Sequence, residues 1–391
     1  VDFTFTEEQQ AATEAARAVF SGVAPDAVPS PALTTGAVAE DFDRPLWAKL
    51  AAADLLSLLL APEHGGAGLD PVALCLVLRE SAKVLARVPL LETSAVALAV
   101  QRYGEKELAH AVLPRAGRGE LVLTAGANGR SGHDPAELAV TARQMAGGAA
   151  DGDGSWVLEG VQTAVPWAQH ADLIAVPART GEDRTVLALV PRDRTGVTLA
   201  DQYSTSGELL AEVRLDSVTA QPHEVITDGA AWEWLRALLT VGTCAQALGL
   251  GEQVLTMSAD YTSRREQFGF PVATFQAVAV QAADRYIDLR AMEVTLWQAA
   301  WRLGTGAGGA LPLAGDVAVA KIWASDGVRR TVQTAQHLHG GFGADTDYPL
   351  HRYHAWAKQL ELNLGPAAAH EEALGDLLAA HPLNQPTSKP V

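Results

Sequence analysis

Cysteine and charge are what this chain of 391 residues has little of. Its two cysteines, Cys75 and Cys244, lie far apart in apolar contexts ("VALCLVL", "VGTCAQAL"), and neither has a histidine near it in sequence. That excludes a disulfide framework, leaves a catalytic cysteine without support, and suits two reduced core thiols in a cytoplasmic protein. Charged residues are only 19% of the chain against 48% hydrophobic, so a sizeable core is available and disorder is excluded. A basic excess is also missing: the formal net charge is −17. That sign argues against nucleic acid and against an anionic membrane surface as partners. No apolar run reaches the ~18 residues of a membrane span. The opening "VDFTFTEEQQ" lacks the basic-then-apolar order of a signal peptide. One local absence stands out. The stretch "KQLELNLGPAAAHEEALGDLL" (358–378) has no acid between Glu361 and Glu371, and places Leu364 and Gly365 there.

What is present falls into three textures, read as an N-terminal helical domain (1–119), a β domain (120–222) and a C-terminal helical domain (223–380), followed by a tail (381–391). In the first, Thr6 and Gln9 form a capping box ahead of "QQAATEAARAVF", and "RPLWAKLAAADLLSLLL" repeats apolar residues at helical spacing. "EHGGAG" breaks the chain, and Asp70 with Pro71 opens another helix. In the second, "LVLTAG", "LAVTAR", "SWVLEG", "DLIAVPA", "TVLALVP" and "LLAEVRL" are short β-rich runs separated by the turn segments "DGDG", "GEDR" and "PRDRTG". They predict a small β-barrel or sandwich. In the third, residues 231–262, 275–303, 316–338 and 350–379 each read as one helix, with a loop over 304–315. Four such helices predict a bundle. The expected fold is mainly α with a central β domain.

Two segments carry chemistry. "YTSRREQFGFPVATFQAV" (261–278) and "QHLHGGFGADTDYPLHRYHAWAK" (336–358) together resemble the signatures of the acyl-CoA dehydrogenase family, and the helical–β–helical order agrees over nearly the whole chain. The resemblance implies an FAD-dependent α,β-desaturation of an acyl-CoA thioester, with electron-transfer flavoprotein as acceptor. It assigns Arg265 to the flavin pyrophosphate, with Gln267 donating beside it and Phe268 packing against the cofactor. Phe275, Gln276 and His337 lie near the same site, and Gly340 and Gly341 let the backbone approach the adenosine. A planar arginine fork and side-chain-free glycines suit a dinucleotide. In the family these groups reach a flavin held mainly by a neighbouring subunit, so an oligomer, a dimer of dimers, is expected. Taken singly, Arg265 is better explained as a solvated helix-end charge and the glycines as a helix cap; the two motifs in this order are not.

The departures are as informative. His337 stands where the family carries glutamine. The segments that face the flavin ring are represented by "TAGANGRSGHD" (124–134) and "TAVPWAQHAD" (163–172), where Val165 and Pro166 offer no hydroxyl donor. The catalytic glutamate is missing from both places where the family keeps it, which here are Leu364 and Leu235. The fallback acid Glu233 reads as a solvated surface residue, as do Glu371 and Glu372. This pattern is similar to the base-less subunit of actinobacterial heterotetrameric acyl-CoA dehydrogenases of steroid side-chain degradation, whose base resides on an unlike partner. Two alternatives stay open: a homomeric enzyme with an unusual base, and a non-catalytic structural partner. The histidines 337, 339, 351 and 354 cluster without a metal-ligand pattern. Trp297, Trp301, Trp323 and Trp356 read as core or subunit interface.

Overall fold

The computed structural model describes residues 4–131, 137–145 and 154–382. The turn segment at 151–153, residues 132–134 of the flavin-facing segment and tail residues 383–391 lie outside them. Five helices come first: α1 (Glu7–Phe20), α2 (Arg44–Ala52), α3 (Pro71–Lys83), α4 (Leu90–Tyr103) and α5 (Lys106–Gly117). The capping box on α1 forms as expected, Thr6 and Gln9 each satisfying the other's backbone amide. Asp70 caps α3 ahead of Pro71. The helix expected over 44–60 is shorter than its periodicity. α2 ends at Ala52, and Asp54 turns into the left-handed region with φ 57°. Leu55, Leu56, Leu59 and Leu60 are still buried, but from turns.

The middle of the chain forms one sheet from β1 (Leu123–Ala125), β2 (Val140–Gln144), β3 (Trp156–Pro166), β4 (Leu173–Thr180), β5 (Thr185–Pro191), β6 (Val197–Tyr203), β7 (Leu209–Ala220) and β8 (Val225–Ile226). The order is β6-β7-β3-β2-β4-β5-β8, with β1 parallel to β4. Side chains from β2 to β8 meet in one apolar interior, so the sheet curls around it, as the expected barrel requires. β6 was not foreseen. It is an edge strand with no buried residue: only Val197 and Leu199 alternate as half-buried apolar positions, too short a pattern to mark a strand.

After a short link come α6 (Ala230–Arg264), the hairpin strands β9 (Glu266–Gln267) and β10 (Phe270–Pro271), α7 (Gln276–Thr305), α8 (Leu313–His339), α9 (Leu350–Leu362) and α10 (Ala367–Ala380). α6 is the axis: it packs on α3, α4, α7, α8 and α9. Gly249 makes this possible, since a Cβ there would meet the Arg79 carbonyl oxygen at 1.9 Å. N- and C-terminal helices consequently share one core. The last bundle position corrects the expectation of a single helix over 350–379. It is two helices, broken at Asn363–Pro366, because proline has no N–H to donate and disfavours helix in the residue before it. Leu364 has φ 59° and Gly365 φ 94° within that break.

Cys75 and Cys244 are buried free thiols, and burial pushes Cys244 up to about 12 and Cys75 further. Neither is a thiolate nucleophile. Trp297 and Trp356 are buried, while Trp301 and Trp323 are exposed. On α7 the large residues Val280, Ile287, Val294 and Trp301 recur every seventh position, and all four are exposed. No described helix is long and apolar enough to cross a membrane.

Candidate functional site

The outer half of the site forms where α6 ends. Arg265 leaves the helix, and the tight β9–β10 turn follows with Phe268 at φ 54° and Gly269 at φ 82°. The Arg265 side chain is exposed and makes no hydrogen bond or ion pair among the described residues. Gln267 is exposed and donates only to the adjacent Glu266 carbonyl, at 2.7 Å. Phe268 is 91% exposed, with Phe275 edge-on at 6.4 Å. Gln276 opens α7 facing solvent, and His337 is exposed in the last turn of α8. Gly340 ends that helix with φ 58° and ψ −138°, a glycine conformation. Beyond Gly340 and Gly341 lies open space.

A depression of about 430 Å³ lined by Met257, Asp260, Tyr261, Arg264, Arg265 and Tyr348 adjoins the arginine. Tyr261 stacks on His339 at 4.4 Å and on Phe342 at 5.4 Å. Burial lowers the pKa of His339, and its Nε2 lies 3.2 Å from the Tyr348 hydroxyl. This ring wall brings the arginine segment and the Gly-Gly loop together. His351 engages the Tyr348 carbonyl at 2.8 Å.

The inner half lies between the end of β3 and the α9–α10 break. Val165 faces the sheet interior and is fully buried. Thr124, the hydroxyl on this side, donates to the Pro166 carbonyl at 2.6 Å. Asn128 spans the gap. Its Oδ1 accepts from the Leu364 amide at 3.2 Å, and its Nδ2 donates to Ala164 O at 3.2 Å and Asn363 Oδ1 at 3.4 Å. From the other side His370 Nε2 donates to the Leu364 carbonyl at 2.8 Å, and burial holds that imidazole neutral with a pKa near 4. Lys321, buried in α8, donates to Ser325 Oγ at 2.9 Å, Leu360 O at 2.8 Å and Glu361 O at 3.1 Å; burial lowers it to about 8.

Leu364 and Leu235 are both buried in the main core. Glu233 is exposed and paired with Arg236 at 2.5 Å, as its surface reading anticipated. Glu371 and Glu372 are exposed on α10, a separate helix from Leu364. The acid that does lie on the inner side is Glu92 of α4, whose Oε2 accepts from Trp167 Nε1 at 3.2 Å. Sequence reasoning passed over Glu92, Asn128, Lys321 and His370. Only Glu92 left a signal, as the lone acid in the apolar run "VPLLETSAVALAV".

Two family descriptions match the chain: "Acyl-CoA dehydrogenase, N-terminal domain" over residues 6–120 and "Acyl-CoA dehydrogenase, C-terminal domain" over 238–378. Acyl-CoA dehydrogenase FadE27 of Mycobacterium tuberculosis is 34% identical over 87% of this chain and 90% of its own length. The chain belongs to the acyl-CoA dehydrogenase family. Among solved structures, this family member is similar to the ChsE4–ChsE5 complex from Mycobacterium tuberculosis, with TM-score 0.85, 33% identity, and 99% of this chain and all of that one covered. It is also similar to a variant of the Tcur3481–Tcur3483 steroid ACAD, with TM-score 0.85, 36% identity, and 96% and 98% covered. Acyl-CoA dehydrogenases are FAD-dependent oxidoreductases, and FAD is the cofactor. The residues present fit one end of it. A free, exposed arginine beside open glycines suits the dinucleotide phosphates. The ring end fits poorly: Val165 is turned into the barrel and the Thr124 hydroxyl is already engaged.

Proposed function

We propose that this chain is the base-less subunit of a hetero-oligomeric acyl-CoA dehydrogenase. Its role is to complete, with Arg265, Gln267, Phe268, Phe275, Gln276, His337, Gly340 and Gly341, an FAD site seated mainly on a partner, while the partner supplies the catalytic carboxylate. Bound FAD supplies the hydride acceptor in this chemistry; a carboxylate must take the α proton of the thioester. The observation that carries the reading is the burial of Leu364 and Leu235 in the apolar core, with no acid at either place. Leucine cannot accept a proton, and Asn128, His370 and Lys321 hold the break around Leu364 in place. Support for an unlike partner comes from the two relatives described as a complex and as a paired steroid ACAD. The assembly expected is a dimer of dimers. Substrates in range are acyl-CoA thioesters of a steroid side chain, a branched acid or a natural-product intermediate, with electron-transfer flavoprotein receiving the electrons. Glu233 is a poor alternative base, being exposed and paired with Arg236.

The test is dye-linked oxidation of a panel of acyl-CoA thioesters, by the chain alone and with its co-expressed partner. A positioned base contributes ~10²–10⁴-fold, so the chain alone is expected to be inert on that scale, and Leu364→Glu should restore little. Robust turnover by the isolated chain, abolished by Glu233→Gln, would overturn the proposal.

A further inference from the structure

Met257, Asp260, Tyr261 and Arg264 follow one another at three- and four-residue spacing, so the last turns of α6 present one face to the depression of about 430 Å³. Arg265 and Tyr348 complete its lining. That volume is at the low end for a ligand pocket, ~300–1,000 Å³, and suits a part of a dinucleotide. Asp260 and Arg264 are exposed, and no hydrogen bond or ion pair engages the carboxylate or the guanidinium among the described residues. Two arginines and an acid therefore line one depression without pairing with one another. Tyr261 and Tyr348 give the same depression an aromatic surface, which suits a flat base.

The depression lies at the C-terminal end of α6, where the free carbonyls carry about half a negative charge. A pyrophosphate brings a further negative charge on each phosphate. Arg265 alone leaves those charges uncompensated, and Arg264 is the second cation on the same lining. Asp260 has the wrong sign for a phosphate. An ionised carboxylate only accepts, so in this depression it calls for a hydroxyl or amino donor on the ligand. The ribose of an adenosine diphosphate carries two adjacent hydroxyls next to the phosphates, and an acid on the ribose is a recurring device of dinucleotide sites. We infer that Arg264 and Asp260 make the depression a subsite for the adenosine-diphosphate half of FAD: Arg264 takes the second phosphate beside Arg265, and Asp260 accepts from the ribose hydroxyls. This rests on the reading that the chain completes an FAD site seated mainly on a partner. Flavin mononucleotide has neither the second phosphate nor the ribose, so these two side chains select against it.

The experiment displaces FAD from the co-expressed assembly with ADP, AMP and 2′,3′-dideoxy-ADP, and reads the release by flavin fluorescence. ADP should displace at about tenfold lower concentration than AMP or the dideoxy nucleotide, the size of one charge-assisted hydrogen bond. Arg264→Ala should close the gap between ADP and AMP and keep the gap to the dideoxy nucleotide; Asp260→Ala should do the reverse. Arg264→Lys should restore part of the first gap, since the charge remains. Equal displacement by the three nucleotides, gaps that survive both alanine variants, or no displacement by ADP overturns the inference. Arg265→Ala separates that failure from failure of the underlying reading. FAD affinity that still falls in Arg265→Ala leaves the reading standing, and an unchanged affinity removes it as well.

Discussion

Arg265 presents a charge with no ion-pair partner among the described residues, which makes it the side chain through which flavin binding is most directly tested. Arg265→Ala should remove a charge-assisted contact of ~1.5–3 kcal/mol, a loss of about tenfold to hundredfold in FAD affinity. Flavin content and dissociation constant of the assembled protein check this; an unchanged stoichiometry and constant would remove Arg265 from the site. Glu92 makes a second prediction, on stability. Its pKa rises from 4.5 to about 8 on folding, so between those values the folded protein holds a proton that the unfolded chain releases. The stability linked to the protonated form is full below the unfolded value and is lost as pH rises through the folded one. Glu208, raised to about 7, adds a slope of the same sign. Glu92→Gln fixes the neutral form, so its advantage over wild type should grow as the pH climbs from about 5 to about 9. Denaturant unfolding across that range reads it, and parallel curves for the two proteins would contradict it.

Within the elements, the break between α9 and α10 is where local backbone and site meet. Leu364 adopts a left-handed conformation that β-carbon-bearing residues rarely take. Asn128 and His370 hold its amide and carbonyl, and Lys321 holds the carbonyls at the end of α9. Asn128→Ala leaves the buried Leu364 amide and the half-buried Ala164 carbonyl without that partner, at ~1–3 kcal/mol. Hydrogen exchange should quicken at Leu364 while the amides of α9 stay protected; exchange unchanged at Leu364 would show that the asparagine is not the tie. Gly365–Pro366 announces this break in sequence, yet apolar spacing runs on through both helices and suggests one. β6 was hidden for a different reason: its two-residue period rests on Val197 and Leu199 alone. The long bundle helices, by contrast, were legible from apolar spacing over many turns, and α3 because its Asp70 cap, Pro71 and apolar spacing agree.

For the whole molecule, the legible part was the order of textures and the two motif segments. The contacts that build the inner site were not legible, because Asn128 and Leu364 lie 236 positions apart and only tertiary structure joins them. The exposed seam Val280, Ile287, Val294 and Trp301 has the seven-residue repeat of a helix that packs on another helix. Apolar rows of that length are uncommon on a monomer surface. Ile287→Asp should therefore shift the assembly to lower mass in sedimentation while leaving the fold of the chain intact by circular dichroism. An unchanged sedimentation coefficient would place the subunit contact on another face.

Phe268, almost wholly exposed at the tip of the β9–β10 turn, also bears on the life of the chain before it is assembled. With Phe270 and Phe275 also exposed beside it, a newly made copy carries an adhesive tip that any other nascent chain can meet first. On the hetero-oligomeric reading proposed above, supply in the cell then has to be matched: copies made in excess over that partner are candidates for clumping or for removal by proteases. On that reading, soluble yield should follow the ratio in which this chain and the proposed partner are produced more closely than the amount of either one.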